Sequence, residues 1–186
     1  MCKRYGVKPD PEISGWLPDF AAADAQLERA AVALRGVVGR RLTEIWTVVV
    51  EGGEWFGDLP VVLRFDSGPQ LEICWEKFDD LSITWDTIDV GIVPQAWVTW
   101  PLQWQRAADP NLWPILGGRV AKINATSFLF ETGSLSVPNN KRGRWLTGGV
   151  WLATDRGDLH VFNALDENGM TTQRPVRDTT HNWRAI

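Results

Sequence analysis

Two stretches of this chain repeat one another, and then two more do. Val37-Val38-Gly39-Arg40-Arg41-Leu42-Thr43-Glu44-Ile45 returns as Ile115-Leu116-Gly117-Gly118-Arg119-Val120-Ala121-Lys122-Ile123, with equivalent positions 78 residues apart. Val61-Val62-Leu63-Arg64-Phe65-Asp66-Ser67-Gly68, followed by Leu71-Glu72-Ile73, returns as Val150-Trp151-Leu152-Ala153-Thr154-Asp155-Arg156-Gly157, followed by Leu159-His160-Val161, at an offset of 89. The second copy therefore carries about eleven extra residues between its echoes. Two copies of one unit imply a pseudo-symmetric body, and 186 residues suffice for one substantial core shared by both.

Local patterns make the unit β-rich. Arg41 to Val50 is dense in β-branched and aromatic residues and ends at Glu51-Gly52-Gly53. Pro60 to Phe65 and Gln70 to Glu76 read as a hairpin around Asp66-Ser67-Gly68-Pro69, and Leu81 to Trp85 as a further strand. The second copy offers Arg119 to Phe130, Trp145 or Val150 to Thr154, and Leu159 to Ala164, with a Gly/Ser/Asn/Lys/Arg loop over 131–144. Helical spacing is confined to 19–35, where Phe20, Ala23, Leu27, Ala30 and Leu34 form a stripe, Asp19 stands as the N-cap and Gly36 as the stop.

The expected class is α+β, an N-terminal helix packed on a predominantly antiparallel β body made of two related β-meander repeats. One domain is expected, with a flexible arm over 1–17, the helix over 19–35, a first β repeat over 37–89, a Trp/Pro-rich crossover over 90–114, a second β repeat over 115–165 and a polar tail over 166–186. Pro101 is placed to open a short helix through Ala108 within the crossover.

Charge and composition narrow the functional classes. A net charge of −4 and a pI near 5.2 argue against nucleic-acid binding, which ordinarily needs a basic face. There is no run of eighteen apolar residues to span a membrane, and Met1-Cys2-Lys3-Arg4-Tyr5 leads into Pro and Asp, so a cytoplasmic location is expected. Cys2 and Cys74 lie in unlike contexts, which argues against a structural disulfide. Two histidines, without Cys-x-x-Cys or His-x-x-x-His, make no transition-metal pattern. The Asp66-Ser67-Gly68 and Asp155-Arg156-Gly157-Asp158 turns lack a calcium loop's oxygen series, and no phosphate-binding glycine loop follows a strand, so neither metal nor cofactor is expected.

The charge is unevenly spread. Residues 71–90 hold Glu72, Glu76, Asp79, Asp80, Asp86 and Asp89 against Lys77 alone. Strand alternation sets Leu71, Ile73 and Trp75 on one side and Glu72, Cys74 and Glu76 on the other, so the acids are expected on an open sheet face that meets a partner protein with a basic surface. The leading expectation is a non-enzymatic protein-binding protein, in its sharpest form a bacterial immunity- or antitoxin-like inhibitor. The alternative is a carbohydrate- or peptide-binding module using Trp97, Trp100 and Trp104, three of twelve tryptophans. A carboxylate-dependent hydrolase using Glu72, Glu76 or Asp86 is a third class. A thiol mechanism through Cys74 and His160 is disfavoured by the glutamates flanking the cysteine, and no catalytic residue is assigned. Asn139-Asn140-Lys141-Arg142-Gly143-Arg144 is the one basic cluster.

Overall fold

A computed structural model describes residues 13–132 and 142–186. In chain order it contains β1 (Ala21–Ala22), α1 (Ala23–Arg35), β2 (Leu42–Val50), β3 (Val61–Phe65), β4 (Leu71–Glu76), β5 (Asp80–Trp85) and β6 (Leu102–Arg106). A 3-10 turn (Pro110–Ile115) then leads into β7 (Val120–Thr132), β8 (Arg142–Thr154), β9 (Gly157–Asn163), β10 (Asn168–Thr171) and β11 (His181–Ala185). The class is α+β, with one helix and two antiparallel sheets in the orders β1-β5-β4-β3-β2-β6 and β10-β9-β8-β7-β11. Leaving aside the two-residue β1, the sheets share one topology: a four-stranded meander whose first strand accepts a later fifth strand on its free edge.

Main-chain hydrogen bonds relate the halves by a local twofold. Leu42 N–H donates to the Gly118 carbonyl at 2.9 Å, and Val120 N–H donates to the Arg40 carbonyl at 2.8 Å. Gly39 N–H donates to Val120 at 2.8 Å, and Gly117 N–H to Leu42 at 2.7 Å. Each bond becomes its mate when 78 is added to one partner's number and subtracted from the other's. Gly39 and Gly117 lie at φ of 91° and 79°, where a side chain is strained, which is why both echoes carry glycine there. The symmetry also covers a strand that the sequence repeat did not reveal: Val48 pairs with Trp104 as Thr126 pairs with Trp183.

The shared core lies between the sheets and beneath α1. Leu27 and Leu34 of the helix meet Ile45, Leu63 and Ile73 of the first half and Ile123, Leu152 and Val161 of the second, all at most 4% exposed. Each such side chain contributes about 1.5–3 kcal/mol by leaving water. A second cluster, containing Ile13, Val48, Phe56, Val62, Ile88 and Leu102, covers the outer face of the first sheet.

Several expectations are corrected. The helix starts at Ala23, with Ala22 at the N-cap and no side-chain cap, because residues 21–22 are drawn into pairing with β5. Asp19 instead takes the Ser82 hydroxyl with its N–H at 3.0 Å and pairs with Arg29 at 3.1 Å. Residues 102–106 are a strand, not a helix, because the free edge of β2 offers unpaired main-chain groups that the segment satisfies from Trp46↔Arg106 to Val50↔Leu102. The tail contains β10 and β11. Within the arm, Ile13 is 6% exposed and Trp16 packs on the outer cluster; expectations for residues 1–12 and 133–141 fall outside the described residues. Strands β7 and β8 take up both ends of the expected 131–144 loop.

Candidate functional site

The six acids do not share one open sheet face, because both sides of β4 are covered at Glu72 while Glu76, Asp79 and Asp80 are half-buried and Asp86 and Asp89 exposed. Glu72 is 1% exposed, and its carboxylate accepts five hydrogen bonds. The donors are Gln70 Nε2 (2.8 Å), Thr84 Oγ1 (2.5 Å), Thr87 N (2.8 Å), Thr87 Oγ1 (2.5 Å) and Ile88 N (2.8 Å). Glu72 therefore ties the chain leaving β5 onto the outer side of the sheet, where its carboxylate is covered. Asp86 and Asp89 are exposed but also capture main chain, accepting from Gln70 N and Gly91 N at 2.7 and 2.8 Å. They border a pocket of about 350 Å³ with Arg64 and Gln70. Glu76, Asp79 and Asp80, half-buried, lie at the other end of the strand pair, about 17 Å away by strand rise.

The tryptophan trio is likewise divided. Trp97 and Trp100 close a two-residue turn by exchanging main-chain hydrogen bonds of 3.1 and 2.9 Å, and their rings meet edge to face at 5.7 Å. Trp104 lies within β6, packed on the outer cluster.

One cleft brings together a predicted acid and a predicted tryptophan. Its volume is about 840 Å³, and its apolar walls include Trp16, Phe20, Leu59, Trp75 and Trp97. Trp16 and Phe20 meet edge to face at 6.2 Å, and Trp97 rests on Phe56 at 5.3 Å. Asp58, Glu76 and Asp166 line the same cleft with Lys77, which is already paired with Glu76 at 3.7 Å and Asp80 at 3.6 Å. Lys77 bridges to Asp166 through the main chain, and Asn163 Nδ2 donates to the Lys77 carbonyl at 2.7 Å. The cleft thus forms where the N-terminal segment, the first sheet and the β9–β10 turn converge. Leu17, Val98 and Leu165, which follow or precede the lining residues Trp16, Trp97 and Asp166 in the chain, are exposed. Trp16, Phe20, Asp58 and Asp166 escaped the sequence reading because nothing in their local context marks them; they meet only through contacts across the chain.

The thiol is unsuited to nucleophilic work. Burial pushes Cys74 up to about 12, although Asn168 Nδ2 donates to its sulfur at 3.7 Å. His160 engages Thr126 Oγ1 at 2.8 Å, so the two make no dyad. Burial lowers His160 to about 4. Among the described residues, no group of three His, Cys, Asp or Glu side chains is placed to hold a metal ion, and no helix is long and apolar enough to cross a membrane. No protein-family model matches the chain, and no curated protein or solved structure shows significant similarity to it.

Proposed function

We propose that this is a non-enzymatic binding protein whose cleft receives a segment of a basic partner protein. The observation that carries this reading is the convergence of Asp58, Glu76 and Asp166 on a cleft walled by aromatic rings. Rings supply apolar area at low entropic cost, and carboxylates at the same place favour cationic partners and speed their approach. Leu17, Val98 and Leu165, the chain neighbours of the lining residues Trp16, Trp97 and Asp166, are exposed as well, so apolar area is available to a segment larger than a small molecule. An immunity- or antitoxin-like inhibitor is the specific form of this reading, with the acids of the β4–β5 turn flanking the cleft. Peptide binding through the crossover becomes part of it, since Trp97 forms one wall.

Selection of random displayed dodecapeptides on the immobilised protein tests the reading. Basic sequences with apolar neighbours should be enriched, and their retention should fall with salt and on Glu76→Lys or Asp166→Lys. Enrichment without charge bias, or full retention by both charge-reversed variants, overturns it.

A further inference from the structure

The two halves treat their outer tryptophans differently: Trp183 is stacked by arginine, whereas its twofold mate Trp104 packs on the outer cluster, and the connection that brings Trp97 to the cleft carries rings without a cation. In the second half, Trp183 lies under the Arg177 guanidinium at 4.2 Å, and its ring meets Trp151 at 5.3 Å. Trp151 in turn carries Arg174 at 5.4 Å. The connection from β10 to β11 delivers both arginines. Its twofold mate, the connection from β5 to β6, spans residues 86–101 and holds no arginine or lysine. That connection brings Trp97 and Trp100 instead. Among the described residues, no guanidinium lies over a ring of the cleft, and its single cation, Lys77, is engaged by Glu76 and Asp80.

We infer that the cleft seats an arginine side chain of the partner, its guanidinium stacked on the aromatic wall and facing Glu76 and Asp166. This inference rests on the binding function proposed above and adds the chemical class recognised. Arginine fits better than lysine for two physical reasons. Its planar, weakly hydrated cation stacks on an indole face with little loss of hydration, and its fork of N–H donors matches a carboxylate in two bonds. The chain itself already pairs tryptophan with arginine twice in the twofold-related half.

Three capped heptapeptides of glycine and serine separate the possibilities, each with one central leucine flanked by two arginines, two lysines or two citrullines. Binding is read by tryptophan fluorescence and calorimetry. The arginine peptide should bind saturably, the lysine peptide about fivefold more weakly, and the citrulline peptide, which keeps shape and hydrogen bonding but not charge, at least about tenfold more weakly. Glu76→Gln and Asp166→Asn should each weaken the arginine peptide while leaving the urea midpoint unchanged. Equal binding of lysine or citrulline overturns arginine recognition while leaving the cleft a binding site. Failure of the arginine peptide to bind, while peptides selected from the random library do bind, likewise overturns the inference alone. Failure of both overturns the proposed function with it.

Discussion

Arg41 and Arg119 face one another across the local twofold, and each reaches into the other's half. The Arg41 guanidinium donates to the Gly117 carbonyl at 3.0 Å, and the Arg119 guanidinium donates to the Gly39 carbonyl. Each arginine's own N–H is held by an aspartate of the second echo, Arg41 by Asp66 at 3.0 Å and Arg119 by Asp155 at 2.8 Å. Those aspartates return their N–H groups to the same arginines' carbonyls, at 2.9 and 3.1 Å. The two echoes are therefore the two sides of one junction.

Because the junction is symmetric, Asp66→Ala and Asp155→Ala should cost about the same. Each removes one exposed side-chain acceptor from a main-chain N–H, a loss of about 1 kcal/mol. Urea denaturation of both variants checks this, and a cost in one several times that in the other would mean that the halves are not joined alike.

Glu72→Gln should be among the more damaging isosteric changes in the protein, at about 3 kcal/mol. Five donors converge on the carboxylate, and an amide turns one of its two acceptor atoms into a donor facing donors. Asp79→Asn, at a half-buried position, serves as the control and should stay within about 0.5 kcal/mol. A Glu72→Gln variant as stable as the parent would show that the carboxylate does not hold the connection after β5.

His160 makes stability depend on pH in a stated direction. The folded state holds the imidazole neutral down to about 4, against an ordinary value of 6.5, so between these limits the unfolded chain binds more protons. Stability is then full above pH 6.5 and falls as pH drops towards 4, by about 3 kcal/mol in all. Comparing His160→Gln with the parent at pH 7.5 and pH 4.5 isolates this contribution from that of the carboxylates. The variant should lose less stability on acidification, and parallel losses would place the histidine in water.

Val98 sits in the two-residue turn between Trp97 and Trp100 at φ 57°, a conformation costly for a β-branched side chain. Val98→Gly should relieve about 1 kcal/mol and raise the melting temperature. A lower melting temperature would mean that the 58% exposed side chain makes contacts that outweigh its backbone strain.

What the sequence determined alone was whatever depends on near neighbours or on residue types that few alternatives can replace. Gly39 and Gly117 occupy left-handed turns, Arg41 and Arg119 are held by Asp66 and Asp155, and each set recurs because its backbone role recurs. The duplicated β body, the hairpins and the helical stripe were legible for that reason. Period-two alternation placed Leu71, Ile73 and Trp75 on one side of β4 and Glu72 on the other, but it cannot say whether the other side is covered. Coverage came from residues 13–20 and 86–101, whose irregular patterns carry no period, and it turned Glu72 from a displayed acid into a buried anchor. The edge of β2 made residues 102–106 a strand by leaving main-chain groups to be satisfied, whatever their local preference. The cleft is likewise a product of tertiary structure alone, because Trp16, Asp58, Glu76, Trp97 and Asp166 come from five separate segments that converge only when the two sheets close on their common core.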